Sequence, residues 1–478
     1  MIDVNRDQEN PLTLPSPFHR EPGGSSPRSH RAKTLIWAAL LLIFEQLSTG
    51  AFASPEIPGA PQQRPIALVG ATVHPVCAPA IPNGIVLFAE GKISAVGTNV
   101  DIPADAEQIA ISADKHVYPG LIDAYTDLGL VEVAAVRASR DQAEGGELNP
   151  NVKAQVALNP DSELIPVARS NGVLSVLTAP RGGLICGTSA VMNTDGWTWE
   201  DMTIAAPVAM HLSWPRTLPL PPFLAIADES RESLVERREK ALRALAQAVA
   251  DSRAYAAAKQ TPNGPESPGA RADSRWEAML PVIEGRVPVI IAADELRQIQ
   301  SAVAFAERER LRLVILGAYD APRCAELLTK NDVPVIVGGV LRLPLRPSDA
   351  HDEPYTLPAR LYAAGIRFCI ASADEASNVR NLPYHAAMAA AYGLPKDEAM
   401  KAITLHAAQI LGVGERLGSL EAGKDATLIV TDGDPLEVPT HVEIAFIQGR
   451  KVDLSDKQKR LWAKYQEKYR RAAGGKLP

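Results

Sequence analysis

The chain has 478 residues, 46% of them hydrophobic, which is enough for a sizeable core divided over two or three domains. Its formal net charge of −7 argues against a broad basic surface, so no nucleic-acid partner is expected. The four cysteines, Cys77, Cys186, Cys324 and Cys369, have no CxxC or zinc-ligand spacing, which argues against a structural zinc site. We expect buried free thiols, with a disulfide as the alternative in an oxidising compartment.

The N-terminal segment has the pattern of an export signal. Three basic residues between positions 28 and 33 precede an apolar run over 35–44, and Ala51-Phe52-Ala53 supplies a small-x-small cleavage site. A ten-residue helix spans only about 15 Å of a bilayer core of about 30 Å. Residues 1–53 are therefore predicted to be a signal peptide with a long N-region. The mature chain, without a membrane span, would be exported to the periplasm or secreted.

From residue 119 to 411, apolar strand-like runs such as GVLSVLTA, VPVIIAA and VPVIVGGV alternate with helical segments. Amphipathic helices are predicted at 230–258, 295–308 and 321–330. Continuous apolar strands between helices indicate a parallel sheet covered on both faces. The pattern predicts an α/β fold with a (β/α)8 TIM-like barrel, which typically takes about 250 residues. A Pro/Gly/Ser-rich flexible loop is predicted at 259–274.

Short alternating strands bounded by turn residues are predicted at both ends of the mature chain, over 65–117 and 412–453. Neither piece has enough strands to bury both faces alone, so we predict one composite β-sandwich domain built from both. A C-terminal helix and tail follow at 455–478. Ser455 and Gln458 have the spacing of a capping box, and the many Lys and Arg residues of this helix predict a solvated face.

Three segments carry a family resemblance: ALVGATVHP with NGIVLFAEGKISAVG, VYPGLIDAYTDLG, and AITLHAAQILGVGERLGSLEAGKDATLIVTDGDPL. They resemble the N-terminal β-domain strands, the first barrel strand, and the last barrel helix with its return to the β-domain in the amidohydrolase superfamily of metal-dependent hydrolases. The resemblance covers about residues 65–455 and is nearest to imidazolonepropionase-like and prolidase-like members. It implies hydrolysis of non-peptide C–N bonds with a divalent metal, such as zinc, at the carboxyl ends of the barrel strands.

The metal-ligand positions implied by this resemblance are mostly changed. Strand one of active members carries His-x-His, in which residues two apart point to the same face; here the two positions hold Tyr125 and Asp127. The histidine of strand five corresponds to Ala292 or Ala293, and that of strand six to Leu316 or Gly317. The aspartate of strand eight corresponds to Asp374, with Ser372 as the alternative in register. No residue is assigned to the strand-four ligand.

These changes predict a weakened or lost metal site. Activating water at neutral pH requires a tightly held metal with three or four N/O ligands. Asp127 and Asp374 alone are weak candidates that would at best hold a hard cation, so we expect no stoichiometric zinc. The chain is interpreted as an amidohydrolase-family protein that is inactive or of altered chemistry, a pseudoenzyme binding a small molecule or a partner protein. The alternative is an active periplasmic imidazolonepropionase-like hydrolase with a carboxylate-based metal site, in which Asp374 is catalytic.

Further candidates for the barrel mouth come from loops and strand ends. Arg181 lies in the Gly-rich segment 178–190 after a strand, where it would bind an anionic group or simply belong to a tight turn. His211 ends an apolar run, and His385 follows strand eight; each is either a site residue or a hydrogen-bonded structural histidine. We expect Tyr125, Asp127 and Asp374 to converge, with the Tyr125 hydroxyl donating to Asp374.

Overall fold

The computed structural model describes residues 56–217, 231–260, 272–373 and 375–472. The predicted signal peptide at 1–53 lies outside the described residues, as do Asp374 and most of the predicted loop at 259–274. No helix in the described ranges is long and apolar enough to cross a bilayer.

The strands, in chain order, are β1 (Ile66–Val69), β2 (Thr72–Val73), β3 (Ile85–Ala89), β4 (Lys92–Gly97), β5 (Glu107–Ala110), β6 (His116–Pro119), β7 (Leu121–Thr126), β8 (Val173–Thr178), β9 (Ile185–Thr188), β10 (Ala190–Asn193), β11 (Thr203–Ala205), β12 (Met210–Ser213), β13 (Val289–Ala293), β14 (Leu313–Gly317), β15 (Val335–Gly338), β16 (Phe368–Ala371), β17 (Leu428–Thr431), β18 (Val442–Ile447) and β19 (Arg450–Lys451). The α-helices are α1 (Leu164–Arg169), α2 (Trp199–Met202), α3 (Arg231–Lys259), α4 (Ser274–Ile283), α5 (Leu296–Arg308), α6 (Ala325–Lys330), α7 (Glu353–Ala363), α8 (Leu382–Ala391), α9 (Lys396–Ala402), α10 (Leu405–Ile410) and α11 (Lys457–Ala472).

Strands from the two ends of the described chain share one sheet. Its order is β19-β18-β17-β6-β2, and β17 pairs with β6 antiparallel, with Ile429 opposite Tyr118. A second sheet, β4-β3-β1-β5, packs with it through one buried apolar cluster. Within that cluster the ring centroids of Phe88 and Phe446 are 5.0 Å apart. The apolar faces of both end segments are therefore buried against each other, which neither could achieve alone.

The middle of the chain forms two further sheets, β16-β15-β14-β13-β12-β9 and β11-β10-β8-β7. Strands β12 to β16 pair in parallel, each with the next, and β7 pairs in parallel with β8. Side chains from both sheets form a common buried cluster that includes Ile122, Leu177, Ile290, Ile336 and Cys369. Apolar residues on consecutive strands thus face one shared interior, while helices cover the outer faces.

Strands β9 and β10 depart from the expected parallel arrangement. Strand β9 runs antiparallel to β12, and β10 runs antiparallel to β8. The connection from Thr178 to Ile185 is far shorter than the dozen or so residues that a parallel crossover needs, so the chain must reverse. The Gly-rich segment 178–190 is consequently a turn, with positive φ at Gly182 and Gly183, followed by a strand.

The predicted helices 230–258 and 295–308 are present with shifts of one residue. The predicted helix 321–330 begins as a 3-10 turn over Ala321–Cys324 and continues as α6. The predicted C-terminal cap is wrong. Helix α11 begins at Lys457, and the Asp456 carboxylate accepts a hydrogen bond of 2.8 Å from the Lys459 amide. Ser455 instead bonds to Asp453. Because the helix starts later than the spacing suggested, Asp456 occupies the capping position.

The cysteines partly match expectation. All four are free thiols, and Cys186, Cys324 and Cys369 are buried. Cys77 is exposed, contrary to the expectation of burial, because it lies in the loop after β2.

Candidate functional site

The two strand-one positions lie beside an arginine. Asp127, one residue after the end of β7, is only 6% exposed, and its Oδ2 is 3.4 Å from Nη2 of Arg181. The Arg181 guanidinium also lies over the Tyr125 ring, 5.4 Å from its centroid. Arg181 reaches both because the turn after β8 lies next to β7 in the sheet. The arginine and the strand-one residues are thus brought together, as an ion pair stacked on an aromatic ring.

His211 also lies beside Tyr125. It is on β12, is 4% exposed, and its ring centroid is 5.8 Å from that of Tyr125. Burial lowers the pKa of His211 to about 3, so the imidazole is neutral at pH 7. We refer to Tyr125, Asp127, Arg181 and His211 as the mouth cluster.

Four buried polar atoms of the mouth cluster have no hydrogen-bond partner within the described chain. They are Oδ1 of Asp127, Nε and Nη2 of Arg181, and Nε2 of His211. Buried polar atoms are nearly always paired, so a set of four in one cluster requires an explanation. Together they offer an acceptor, a cationic donor and a neutral imidazole nitrogen to a small polar molecule.

Burial and the arginine act in opposite directions on the Asp127 carboxyl group. Burial raises its pKa, and the nearby Arg181 charge lowers it by less, so that the pKa lies above the ordinary value for aspartate. Burial likewise raises the pKa of Tyr125. Tyr125 is therefore a neutral phenol rather than a phenolate at physiological pH, which makes it a poor metal ligand.

Asp374 lies outside the described residues, so its predicted convergence with Tyr125 and Asp127 stays a prediction. Ser372, the alternative strand-eight candidate, has a different partner. Its amide donates to Oδ1 of Asp123 at 3.1 Å, and its hydroxyl bonds to the other oxygen of the same carboxylate. These bonds join the end of β16 to β7 through two completely buried side chains.

Asp123 was not recognised as important from the sequence. It is 0% exposed, and burial raises its pKa to about 6 in spite of the hydrogen bonds from Ser372, which lower it. The signal was available, because a single carboxylate within the apolar strand LIDAYT must have a partner when buried.

The strand-five and strand-six positions can be assigned by strand alternation. Ile290 and Leu316 belong to the shared interior cluster, and Ala293 to the outer one. Ala292 therefore faces the same way as Ile290, and it is exposed at the strand end. Neither Ala292 nor Leu316 provides a metal-binding atom.

A second polar group lies just beyond these strand ends. We call it the Arg–Asp network, and it consists of Asp294, Tyr319, Asp320, Arg342, Arg346 and Asp349. Arg346 donates to both oxygens of Asp320, at 2.6 and 2.8 Å, and to Asp349 at 3.0 Å. Arg342 donates to Asp294 at 3.2 Å, and both guanidinium groups lie over the Tyr319 ring.

The carboxylates of the Arg–Asp network are held by cations of the protein itself. Burial alone would raise the pKa of Asp320, but hydrogen bonds from Arg346 and the Leu296 amide outweigh it and lower the pKa. These carboxylates could bind a metal only by giving up their arginine partners. This group was not predicted from the sequence, although GAYDAPR and LRLPLRPSDAHD follow two strands closely, where loops build the active face of a barrel.

His385 has a structural contact. It lies on α8, is 3% exposed, and its Nδ1 accepts hydrogen bonds from the amides of Val340 at 2.9 Å and Leu341 at 3.2 Å. The imidazole thereby fixes the loop that follows β15.

The described residues do not fit the metal site implied by the resemblance. Within the described ranges, no group of three His, Cys, Asp or Glu side chains is placed to hold a metal ion. The one carboxylate of the mouth cluster faces a guanidinium, which competes with any metal cation for the same oxygens.

Comparison with known proteins supports the fold and the family. A family model described as "Amidohydrolase family" matches residues 340–455. The amidohydrolase tasK of Hapsidospora irregularis is 23% identical over 384 residues, 74% of this chain and 38% of that protein. An imidazolonepropionase of Thermoplasma volcanium is 37% identical over 93 residues, 19% of this chain and 23% of that protein. The chain thus spans well under half the length of both curated relatives.

A crystal structure of an amidohydrolase from Thermotoga maritima MSB8 shares the fold, with a TM-score of 0.72 and 24% identity. The match covers 81% of this chain and 99% of that one. The protein is a mixed α/β protein, and the family model, the two curated relatives and this crystal structure all support the amidohydrolase superfamily.

Proposed function

We propose that this protein is a member of the amidohydrolase superfamily that has lost metal-dependent hydrolysis and binds a small polar molecule at the mouth cluster. In this proposal, strands β7 to β16 close into a (β/α)8-like barrel, in which β9 and β10 together take the place of the third barrel strand. The end segments, 65–117 and 412–453, form the composite β-sandwich domain beside it. The mouth then lies at the carboxyl ends of the parallel strands, where barrel enzymes bind their ligands.

The observation that carries this proposal is the ion pair between Arg181 and Asp127 in the former strand-one metal position. A divalent ion bound to Asp127 would lie close to a guanidinium, and two like charges at such a distance repel by several kcal/mol. The neighbouring His211 is neutral and has a free Nε2, but one imidazole and one shared carboxylate are fewer ligands than a catalytic zinc needs.

The same atoms favour an anionic ligand. A carboxylate of a small molecule would accept hydrogen bonds from Nε of Arg181, and an amide N–H of the same molecule would donate to Oδ1 of Asp127. N-acyl amino acids combine these two groups and are the ligand class we propose. With no activated water, such a molecule would be bound and not cleaved.

Metal content tests the loss of hydrolysis. Protein purified without chelator from medium supplemented with zinc and manganese should contain well under one ion per chain, and Asp127→Ala should leave this content unchanged. One or two ions per chain, lost in Asp374→Ala, would contradict the proposal and favour the alternative of an active hydrolase with a carboxylate-based site.

Ligand binding is tested on the same preparations by thermal unfolding. N-acetyl amino acids should raise the melting temperature of the wild-type protein. They should raise it equally in the control variant Arg367→Met, because Arg367 forms an exposed ion pair with Asp332 and is not part of the mouth cluster. They should not stabilise Arg181→Met. An equal shift in all three proteins would show that Arg181 does not bind the ligand.

A further inference from the structure

Helix α11 differs in charge from the rest of the chain. Seven Lys or Arg side chains against one Glu give it a net charge of +6, on a chain whose total is −7. Two of its arginines, Arg470 and Arg471, share the single carboxylate of Glu467. The remaining cations leave the helix with a strong positive field on an otherwise acidic protein.

The same helix has an aromatic face that no other part of the described chain covers. None of its side chains is buried. The exposed fractions are 42% for Leu461, 65% for Trp462, 48% for Tyr465 and 59% for Tyr469. At 100° per residue, these four positions fall within an arc of about 100°, so they form one continuous stripe.

The orientation of the helix turns this stripe outward. Arg460 holds α11 to the body of the protein by a hydrogen bond of 2.7 Å to Glu163, close to the start of α1. Arg460 lies on the side of the helix roughly opposite the aromatic stripe. The stripe therefore faces away from the protein.

Lysines border the stripe along one edge. Lys464 and Lys468 are next to it on the helix surface, and the Lys468 ammonium is 5.6 Å from the Tyr465 ring centroid and 5.9 Å from that of Tyr469. Lys459 and Arg470 border the other edge. An aromatic stripe between two rows of cations matches a bilayer surface, where Trp and Tyr favour the headgroup level and Lys and Arg reach anionic phosphates.

We propose that α11 binds the surface of an anionic lipid bilayer, lying in its plane with the stripe of Leu461, Trp462, Tyr465 and Tyr469 inserted at headgroup depth. Charge complementarity favours this surface over pairing of α11 with the same helix of a second copy, since two helices of charge +6 would repel each other. The proposal does not depend on what the mouth cluster binds.

Cosedimentation of the full chain with lipid vesicles tests this. Vesicles of phosphatidylcholine with 30% phosphatidylglycerol should bind the wild-type protein, and pure phosphatidylcholine vesicles should bind it at least about tenfold more weakly. Trp462→Ala, and the double variant Lys464→Gln with Lys468→Gln, should each bind the anionic vesicles about tenfold more weakly than wild type. Unchanged near-ultraviolet circular dichroism will show that the variants are folded, as expected for a helix without buried side chains.

Two matched controls are available. Trp197 is 64% exposed, so Trp197→Ala removes an equally exposed indole elsewhere, and Lys330→Gln removes an exposed cation from α6. Both should bind vesicles like wild type. Equal vesicle binding by Trp462→Ala and wild type would overturn the proposal. So would a dimer that Trp462→Ala dissociates without effect on vesicle binding, or tighter binding to duplex DNA than to anionic vesicles at physiological salt.

Discussion

Single buried polar residues determine how the carboxyl ends of the central strands are held. Asp123 on β7 and Ser372 after β16 bond to each other in a completely buried position. A buried carboxylate is tolerated only with such partners, and even so burial raises the pKa of Asp123 to about 6. The residue is therefore a source of pH-dependent stability.

The pH dependence of unfolding should reveal this residue. Because folding raises the pKa of Asp123, its contribution to the free energy of unfolding is full below about pH 4 and is lost as the pH rises through about 6. Asp123→Asn cannot ionise, so its loss of stability between pH 4.5 and pH 8 should be smaller than that of wild type by about 2 kcal/mol.

Urea unfolding at the two pH values measures the difference. Ser372→Ala removes the hydroxyl hydrogen bond to Asp123, the largest of the contacts that lower its pKa, and keeps the backbone amide bond, so it should steepen the pH dependence instead. Parallel curves for wild type and Asp123→Asn would show that Asp123 does not titrate in this range.

At the level of elements, a short connection determines the direction of β9 and β10, and a local cap determines where α11 begins. Apolar periodicity predicts neither feature. The turn after β8 forces β9 and β10 to run antiparallel, and the same turn carries Arg181 to the mouth cluster. Helix α11 is capped by Asp456, one residue beyond the serine that the capping-box spacing indicated.

The cap of α11 can be tested by amide hydrogen exchange. Asp456→Ala removes the acceptor for the Lys459 amide and should speed exchange in the first turn of α11 by about fivefold, equivalent to roughly 1 kcal/mol. Ser455→Ala should leave this exchange unchanged, because Ser455 bonds to Asp453. Faster exchange in Ser455→Ala alone would restore the sequence-based assignment.

For the whole molecule, the decisive feature is that segments distant in sequence form one sheet and one apolar cluster. Strands β17 to β19 join β6 and β2 in one sheet, and their side chains fill a common apolar cluster. The C-terminal helix, in contrast, contributes no buried side chain. Stability should therefore depend on the C-terminal strands and not on the helix that follows them.

Two truncations separate these contributions. A chain ending at residue 456 lacks α11 and residues 473–478 and should keep the wild-type melting temperature within a few degrees. A chain ending at residue 412 exposes the apolar side of β6 and should be poorly soluble, with no cooperative melting. A cooperative transition in the shorter chain would show that the C-terminal strands are dispensable.

Local pattern alone was enough to predict most strands of the central sheets and several helices of this protein. Helices α3 and α5 lie within one or two residues of the predicted ranges, because apolar periodicity and helix-end signals depend only on residues that are close together in sequence. The family resemblance likewise indicated that Tyr125 and Asp127 stand where imidazoles are expected, but it left the strand-five and strand-six positions open between two residues each.

Only the tertiary structure decided which partner each polar side chain takes. The pairs Arg181–Asp127 and Ser372–Asp123, and the Arg–Asp network, join residues on separate elements. These contacts depend on strand order and on the chain reversal before β9, and the periodicity of apolar residues predicts neither. The sequence therefore determined many of the elements and the residue types at the positions that the resemblance implies. Packing determined which side chains meet there, because burial forces each polar group to find a partner in space rather than along the chain.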